Sequence, residues 1–372
     1  MNTGYTKGFF KHIGVGFGKR FNKLWYSCVC MGVDLGDLFQ RKTCAFEDFR
    51  DKIIVIDAYN VLHQFLASIR QRDGTPLKDA QGRITSHLSG LLYRTANLVD
   101  VKIRPVYVFD GKPHPLKAKV IEQRTKRRLL AEQEWEAALE RGDMEVAKSK
   151  AQQTSRVTAE ILEQSKELLT ALGIPYIQAP SEGEAQASYM VRQNKAYAVG
   201  SQDFDCLLFG APLLVQNLTS SEKRKLPGKQ AYVTVHPRMI QLELGLKTLG
   251  ITQEQLIDIA ILIGTDFNDG VKGFGPKKSL QLIKKTGCLE RALSEIHDAN
   301  LPSLEEITML RELFLHPEVT DDYVVSWSKP DTARVLNMLC DEHQFSKDRV
   351  EPLLSKFSVL DCTAKQKQLF EF

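Results

Sequence analysis

Two short apolar runs, each closed by an aspartate, constrain this chain more than any other feature. Lys52–Asp57 reads KIIVID and Pro105–Asp110 reads PVYVFD. Between them, residues 84–100 place Leu88, Leu91, Leu92, Ala96 and Val99 at helical spacing. Strand, helix and strand in that order predict a parallel sheet with right-handed crossovers. Runs rich in β-branched residues with no polar alternation suit strands covered on both faces. Ligands of such sheets collect outside the carboxyl ends of the strands, where Asp57 and Asp110 stand. IPYIQAP (174–180), AYAVGS (196–201) and PLLVQNL (212–218) read as a third, fourth and fifth strand. Residues 117–172 read as helical throughout, closed by Gly173, and 253–263 as an apolar helix ending at Gly264. The remainder to about residue 355 reads as mostly helical. The expectation is an α/β fold: one large domain over 31–355, its central, mostly parallel sheet flanked by helices.

Five more acids stand where the chain is expected to turn: Glu182 and Glu184 in PSEGEA, Asp203 and Asp205 in SQDFDC, and Asp266 in IGTDFND. Each has a bland reading. Ser181 and Glu184 fit a capping box, Glu182 suits a helix first turn, Asp203 and Asp205 fit Asx turns, Asp110-Gly111 fits a turn, and Asp266 can cap a helix. Gathered in one pocket, the seven acids raise one another's pKa until protons or cations neutralise them. That pattern points to a two-metal hydrolytic site. Carboxylates without a His or Cys cage match Mg²⁺, with Mn²⁺ able to substitute.

The net charge of +4 is weak evidence for a polyanionic partner, but its distribution is uneven. Directly after Asp110 come Lys117, Lys119, Arg124, Lys126, Arg127 and Arg128 against one acid, Glu122. Such a stretch repels itself unless a polyanion lies beside it. Gly273-Phe274-Gly275-Pro276-Lys277-Lys278 combines flexible backbone, a proline suited to a first helical position and two cations, as a phosphate site at a helix start requires. The seven cysteines, at 28, 30, 44, 206, 288, 340 and 362, form no disulfide or zinc pattern. No apolar run approaches the roughly 20 residues that span a bilayer. Residues 1–30 carry five Lys or Arg, no acid and many aromatics. They read as a transit-like or membrane-surface segment, or as an extension upstream of a true start at Met31. The end of the chain, Gln366-Lys367-Gln368-Leu369-Phe370-Glu371-Phe372, is apolar enough to expect capture by a partner.

Taken together, IDAYN, YVFDGKPHPLK, APSEGEA, SQDFDCLLFG, IGTDFN and GFGPKK resemble, in order and spacing, the motifs of the flap endonucleases, structure-specific 5′ nucleases of the XPG/RAD2 superfamily. VDLGDL and GRITSHLSGLLYRT look most like the archaeal members. The resemblance runs from Met31 to the C-terminus and implies a PIN-like nuclease fold. A helical arch is expected over about 111–155, overlapping an N-terminal region (about 31–130) and an internal region (about 152–290), with a clamp-binding tail at 356–372. It implies that Asp57, Asp110, Glu182, Glu184, Asp203, Asp205 and Asp266 hold two Mg²⁺ ions. Lys117 and Arg124 are expected to position the scissile phosphate. His63, Arg94, Gly273, Gly275, Lys277 and Lys278 are expected to contact DNA, with a K⁺ at the helix–turn–helix element. Gln366, Leu369, Phe370 and Phe372 are expected to dock on a PCNA-type sliding clamp. The implied substrate is branched DNA with a 5′ flap, cut near the single-strand/double-strand junction by a cytoplasmic monomer of an archaeal-type cell, in Okazaki-fragment maturation and base excision repair. The rival readings are a 5′→3′ exonuclease or junction resolvase of the same superfamily, and a non-catalytic scaffold at the clamp. His63 stands where the family has Tyr and is expected to bring pH sensitivity. Only Phe372 fills the place of the usual terminal aromatic pair.

Overall fold

The computed structural model describes residues 32–220, 223–225, 232–297 and 301–358. The N-terminal extension and the tail that carries Gln366, Leu369, Phe370 and Phe372 lie outside the described residues.

The chain begins with β1 (Lys42–Thr43), β2 (Ile53–Asp57), α1 (Ala58–Ser68), α2 (Ser86–Asp100) and β3 (Arg104–Phe109). There follow α3 (Ala118–Glu140), α4 (Met144–Ala151), α5 (Ala159–Ala171), β4 (Tyr176–Gln178), α6 (Gly183–Arg192), β5 (Ala198–Gly200), α7 (Asp205–Leu208) and β6 (Leu213–Gln216). A separate antiparallel ribbon, β7 (Lys223–Lys225) with β8 (Tyr232–Thr234), precedes β9 (Arg238–Gln241). The remaining helices are α8 (Leu242–Leu249), α9 (Gln253–Ile263), α10 (Pro276–Thr286), α11 (Leu289–Ser294), α12 (Leu304–Leu315), α13 (Thr332–Leu336) and α14 (Lys347–Phe357).

The main sheet has the order β1-β9-β6-β5-β2-β3-β4. Five neighbouring strands, β6-β5-β2-β3-β4, are parallel, with β4 at the edge. At one edge β9 runs antiparallel to β6, and β1 antiparallel to β9, two strands that the apolar runs did not reveal. Alternate residues of each central strand feed opposite cores. Val55, Val106, Val108, Val199 and Leu214 pack with Met190 of α6 and Ile257 of α9. Ile54, Ile56, Tyr107, Phe109 and Val215 pack with Leu62, Leu88, Leu92 and Phe357. Burial on both faces explains the unbroken apolar runs of β2 and β3, whereas β4 leaves Tyr176 and Gln178 exposed. The chain adds β3 and β4 on one side of β2 and β5 and β6 on the other. A topological switch point therefore lies at the carboxyl end of β2.

Two expectations need correction. Residues 117–172 are not helical throughout. The helix stops at Gly142, whose φ of 71° few side chains tolerate, and again over 155–158, between the turn that follows α4 and the cap of α5. The first break lets α4 fold back on α3. The second correction is the stretch 316–331, which has no regular secondary structure and is bracketed by Pro317 and Pro330. It ties the amino ends of β3 and β4 to the end of α5. Ser328 N–H donates to Gly173 O at 3.0 Å, Asp331 N–H to Ala171 O at 2.8 Å and the Trp327 indole to Pro105 O at 3.0 Å.

Candidate metal centre

All seven acids arrive at the switch point, from five separate segments. Asp57 is the last residue of β2 and caps α1, accepting from Asn60 N–H at 3.0 Å. Asp110 follows β3 and accepts from Gly183 N–H at 2.6 Å. That approach requires glycine, because a Cβ at position 183 would lie 2.6 Å from the same carboxylate oxygen. Asp203 follows β5 and accepts from the Asn60 amide at 2.6 Å. Asp205 opens α7 and accepts from Val33 N–H at 2.8 Å. Asp266 comes from the loop after α9.

The PSEGEA segment departs from the capping-box expectation. Glu182 is the N-cap residue of α6 and its side chain makes no cap bond. Ser181 donates to Lys112 O at 3.3 Å, and Glu184 accepts from Ser201 Oγ at 3.3 Å and from Cys206 Sγ at 3.4 Å. Both glutamates are thus spared for the pocket, and the helix start goes without its usual side-chain cap.

Electrostatics tie the acids together. Burial, then the charge of Asp110, raises Asp57 well above the carboxylate range. Burial, with Glu182 and Asp266, pushes Asp110 up to about 6 against the pull of Lys117. Glu184 is raised by burial and by Asp205, Asp203 and Asp57. Asp205 is pushed to about 8 by burial and by Asp266 and Asp203. Asp266 is raised by burial, although Arg124 and Lys117 oppose this. Such mutual repulsion is relieved by cations. Two are present as side chains: Lys117 pairs with Glu182 and lies 3.7 Å from Asp266, and Arg124 pairs with Asp266. The acids hold Lys117 firmly protonated. Among the described residues, no three His, Cys, Asp or Glu side chains close into a cage that grips an ion by itself. The donor set still fits a hard divalent ion, which takes a few carboxylate oxygens and keeps waters for the rest. Its five most buried members, Asp57, Glu182, Asp203, Asp205 and Asp266, are 9% exposed or less.

The remaining expected residues sit outside this cluster. His63 lies on α1 beside Tyr59, ring centroids 6.0 Å apart. Burial, with Arg124 and Arg128, lowers its pKa to about 4, so it stays neutral near physiological pH and the expected pH sensitivity is corrected. Arg94 is half-buried on α2. Gly273 has a φ of 81°, Gly275 is the N-cap of α10 and Pro276 its first residue. Lys277 is exposed 3.5 Å from Asp37, and Lys278 lies over the Phe274 ring at 3.9 Å. Sequence reasoning missed the residues that orient the acids: Gly32 and Val33, Asn60, Gly183, Ser201 and Cys206. Val33, Asn60, Gly183, Ser201 and Cys206 lay inside the motifs VDLGDL, IDAYN, PSEGEA and SQDFDC, so their position was a usable signal.

Family models match at two places, the XPG N-terminal domain over residues 35–131 and the XPG I-region over 173–266. Flap endonuclease 1 of Archaeoglobus fulgidus is 54% identical over 333 residues, 90% of this chain and 98% of that protein. Flap endonuclease 1 of Thermococcus onnurineus is 49% identical over 91% of this chain and 98% of its own length. Among solved structures, flap endonuclease-1 from Methanococcus jannaschii superposes with a TM-score of 0.70 at 39% identity, covering 88% of this chain and 98% of that one. The catalytic core of Rad2 in complex with DNA substrate shares the fold, with a TM-score of 0.64 at 24% identity over 90% of this chain and 98% of its own.

Proposed function

The chain belongs to the flap endonuclease family, and from that premise we propose that its seven-acid pocket hydrolyses the phosphodiester at the base of a 5′ flap. The observation that carries the reading is the convergence of all seven acids on the switch point, with Lys117 and Arg124 reaching in from the base of the helix pair α3–α4. Asp57, Asp110, Glu182, Glu184, Asp203, Asp205 and Asp266 hold two divalent ions, directly or through water. When bound, Mg²⁺ or Mn²⁺ supplies an activated water and stabilises the leaving oxygen. Asn60, Val33 and Gly183 fix the ligand carboxylates by donating to them. Lys117 and Arg124 turn from their carboxylate partners to the scissile phosphate and stabilise its developing charge.

Residues from about 111 to 155 form the arch through which the 5′ single strand passes. His63 stacks on a base as a neutral ring, and Arg94 contacts the backbone. Gly273, Gly275, Lys277 and Lys278 hold phosphates of the duplex at the start of α10. The same reading assigns a K⁺ to this loop. In its favour is the buried hydroxyl of Ser279, one turn into α10, which lacks a hydrogen-bond partner. The tail docks on a sliding clamp, and the enzyme works as a cytoplasmic monomer with 5′→3′ exonuclease activity as well, in Okazaki-fragment maturation and base excision repair.

The test replaces Asp110 or Asp205 by Ala and measures flap cleavage and flap affinity separately. Cleavage should vanish while affinity survives. Cleavage at wild-type rate would remove the pocket from the chemistry. A panel of flap, nicked, gapped and four-way-junction DNA separates the flap enzyme from an exonuclease or a resolvase.

A further inference from the structure

The loop that supplies Asp266 also supplies Asp269, an acid that makes no contact with the metal-binding set. Asp269 pairs with Lys119 and accepts from the Gln123 amide at 3.2 Å. Both partners lie in the first two turns of α3, the helix whose base carries Lys117 and Arg124. At 100° per residue, Lys119 and Gln123 sit about a third of a turn round the helix from Lys117 and Arg124. The loop therefore grips the helix base from two sides, Asp266 on one and Asp269 on the other.

The loop itself is braced. Thr265 N–H donates to Asn268 O at 3.0 Å, the Asn268 amide to Ile261 O at 2.8 Å, and Val271 N–H to Leu262 O at 2.8 Å. Phe267 is buried against Phe314. Asp269 is thus presented from a fixed support. Its carboxyl is held below the usual range by the hydrogen bond from Lys119, and Lys119 is raised in turn.

We propose that Asp269 is a positioning residue: through Lys119 and Gln123 it stops α3 from rolling about its axis, and so keeps Lys117 and Arg124 aimed at the scissile phosphate. Once Lys117 and Arg124 turn from Glu182 and Asp266 to the phosphate, the pair of Asp269 with Lys119 and Gln123 is the contact by which this loop still holds the helix base. The same loop runs on to Gly273 and α10, so a duplex gripped there is held in register with the arch base. Both side chains are largely exposed, Lys119 at 71% and Asp269 at 48%. Such a pair adds little to global stability, which makes an aiming role separable from a folding role. The inference rests on the flap-endonuclease reading of the pocket.

The experiment is a charge swap. Asp269→Lys is expected to slow single-turnover cleavage of a 5′ flap at saturating DNA and Mg²⁺ by about 5-fold, the upper end for an exposed pair, with the thermal midpoint unchanged. The defect should shrink as salt is raised. Asp269→Glu should retain the wild-type rate. The double variant Lys119→Asp/Asp269→Lys should return to within about 2-fold of wild type, because the attraction is rebuilt with the charges exchanged. The proposal is overturned by an Asp269→Lys enzyme of full rate, or by a double variant whose losses simply add. A wild-type protein that leaves flaps uncut would instead defeat the underlying nuclease reading, so the two failures are distinguishable.

Discussion

Adding one methyl group at Gly32 should slow this enzyme about a hundredfold. Gly32 lies against Asp205, and a Cβ built on its backbone would sit 2.6 Å from Cγ, Oδ1 and Oδ2 of that carboxylate. Ordinary van der Waals contact begins at 3.4 Å, so Gly32→Ala forces a separation of about 0.8 Å. Asp205 has little room to give way. It is 2% exposed, anchored by Val33 N–H at 2.8 Å and repelled by Asp203 and Asp266. If the backbone at position 32 yields instead, the Val33 bond to Asp205 is lost. The first route moves a proposed metal ligand by most of an ångström and the second removes its anchor, and a misplacement of about 1 Å can cost about 10²-fold. The assay is single-turnover cleavage of a 5′-flap duplex, with Mg²⁺ affinity measured calorimetrically on the same protein. Rate and metal affinity should both fall, while flap affinity in chelator stays at the wild-type value. A Gly32→Ala enzyme with wild-type rate and wild-type metal affinity would refute the claim that this close contact sets the ligand.

Three further outcomes follow from the same geometry. Without divalent ions, Asp110 and Asp205 keep protons that the unfolded chain releases near pH 4. A raised folded-state pKa gives stability that is full below the unfolded value and lost as pH climbs through the folded one. In chelator, the calorimetric melting temperature should therefore fall between pH 5 and pH 8, and saturating Mg²⁺ should flatten that slope; a midpoint that rises over this window contradicts the pocket's electrostatics. Lys117→Ala should slow single-turnover cleavage by about 10²-fold while metal affinity holds or tightens, because Glu182 and Asp266 lose a competing cation; an unchanged rate excludes Lys117 from the chemistry. Arg311 joins three helices by pairing with Asp258 of α9 at 2.7 Å and Glu290 of α11 at 2.5 Å. Arg311→Met leaves Asp258, whose side chain is 3% exposed, without its charge partner and with the Leu289 N–H at 3.0 Å still bonded to it, and should cost about 3 kcal/mol in denaturant unfolding; a loss below about 1 kcal/mol would show that the network carries little.

Much of the site was legible because its residues mark strand ends. Asp57 and Asp110 follow unbroken apolar runs, and those runs announce a sheet covered on both faces. The misreadings came where a local pattern had two solutions. Ser181 and Glu184 have capping-box spacing, yet Glu184 faces Ser201 and Cys206, because a buried acid pocket is a stronger demand than one helix cap. Residues 117–172 are rich in helix formers throughout, and Gly142 alone is a weak signal for a reversal.

By itself, the sequence determined the layers of this protein and the carboxyl ends at which its acids stand, since both follow from periodicity within a few residues. Only the tertiary structure decided which side chains hold those acids in place. Val33 reaches Asp205 across 172 residues of chain, and Asn60 reaches Asp203 across 143. The antiparallel edge formed by β9 and β1 and the two-sided grip of the loop on α3 were decided there too. Contacts between segments so far apart leave no repeat or spacing in the chain, because they are set by how the elements pack and not by the order in which they come.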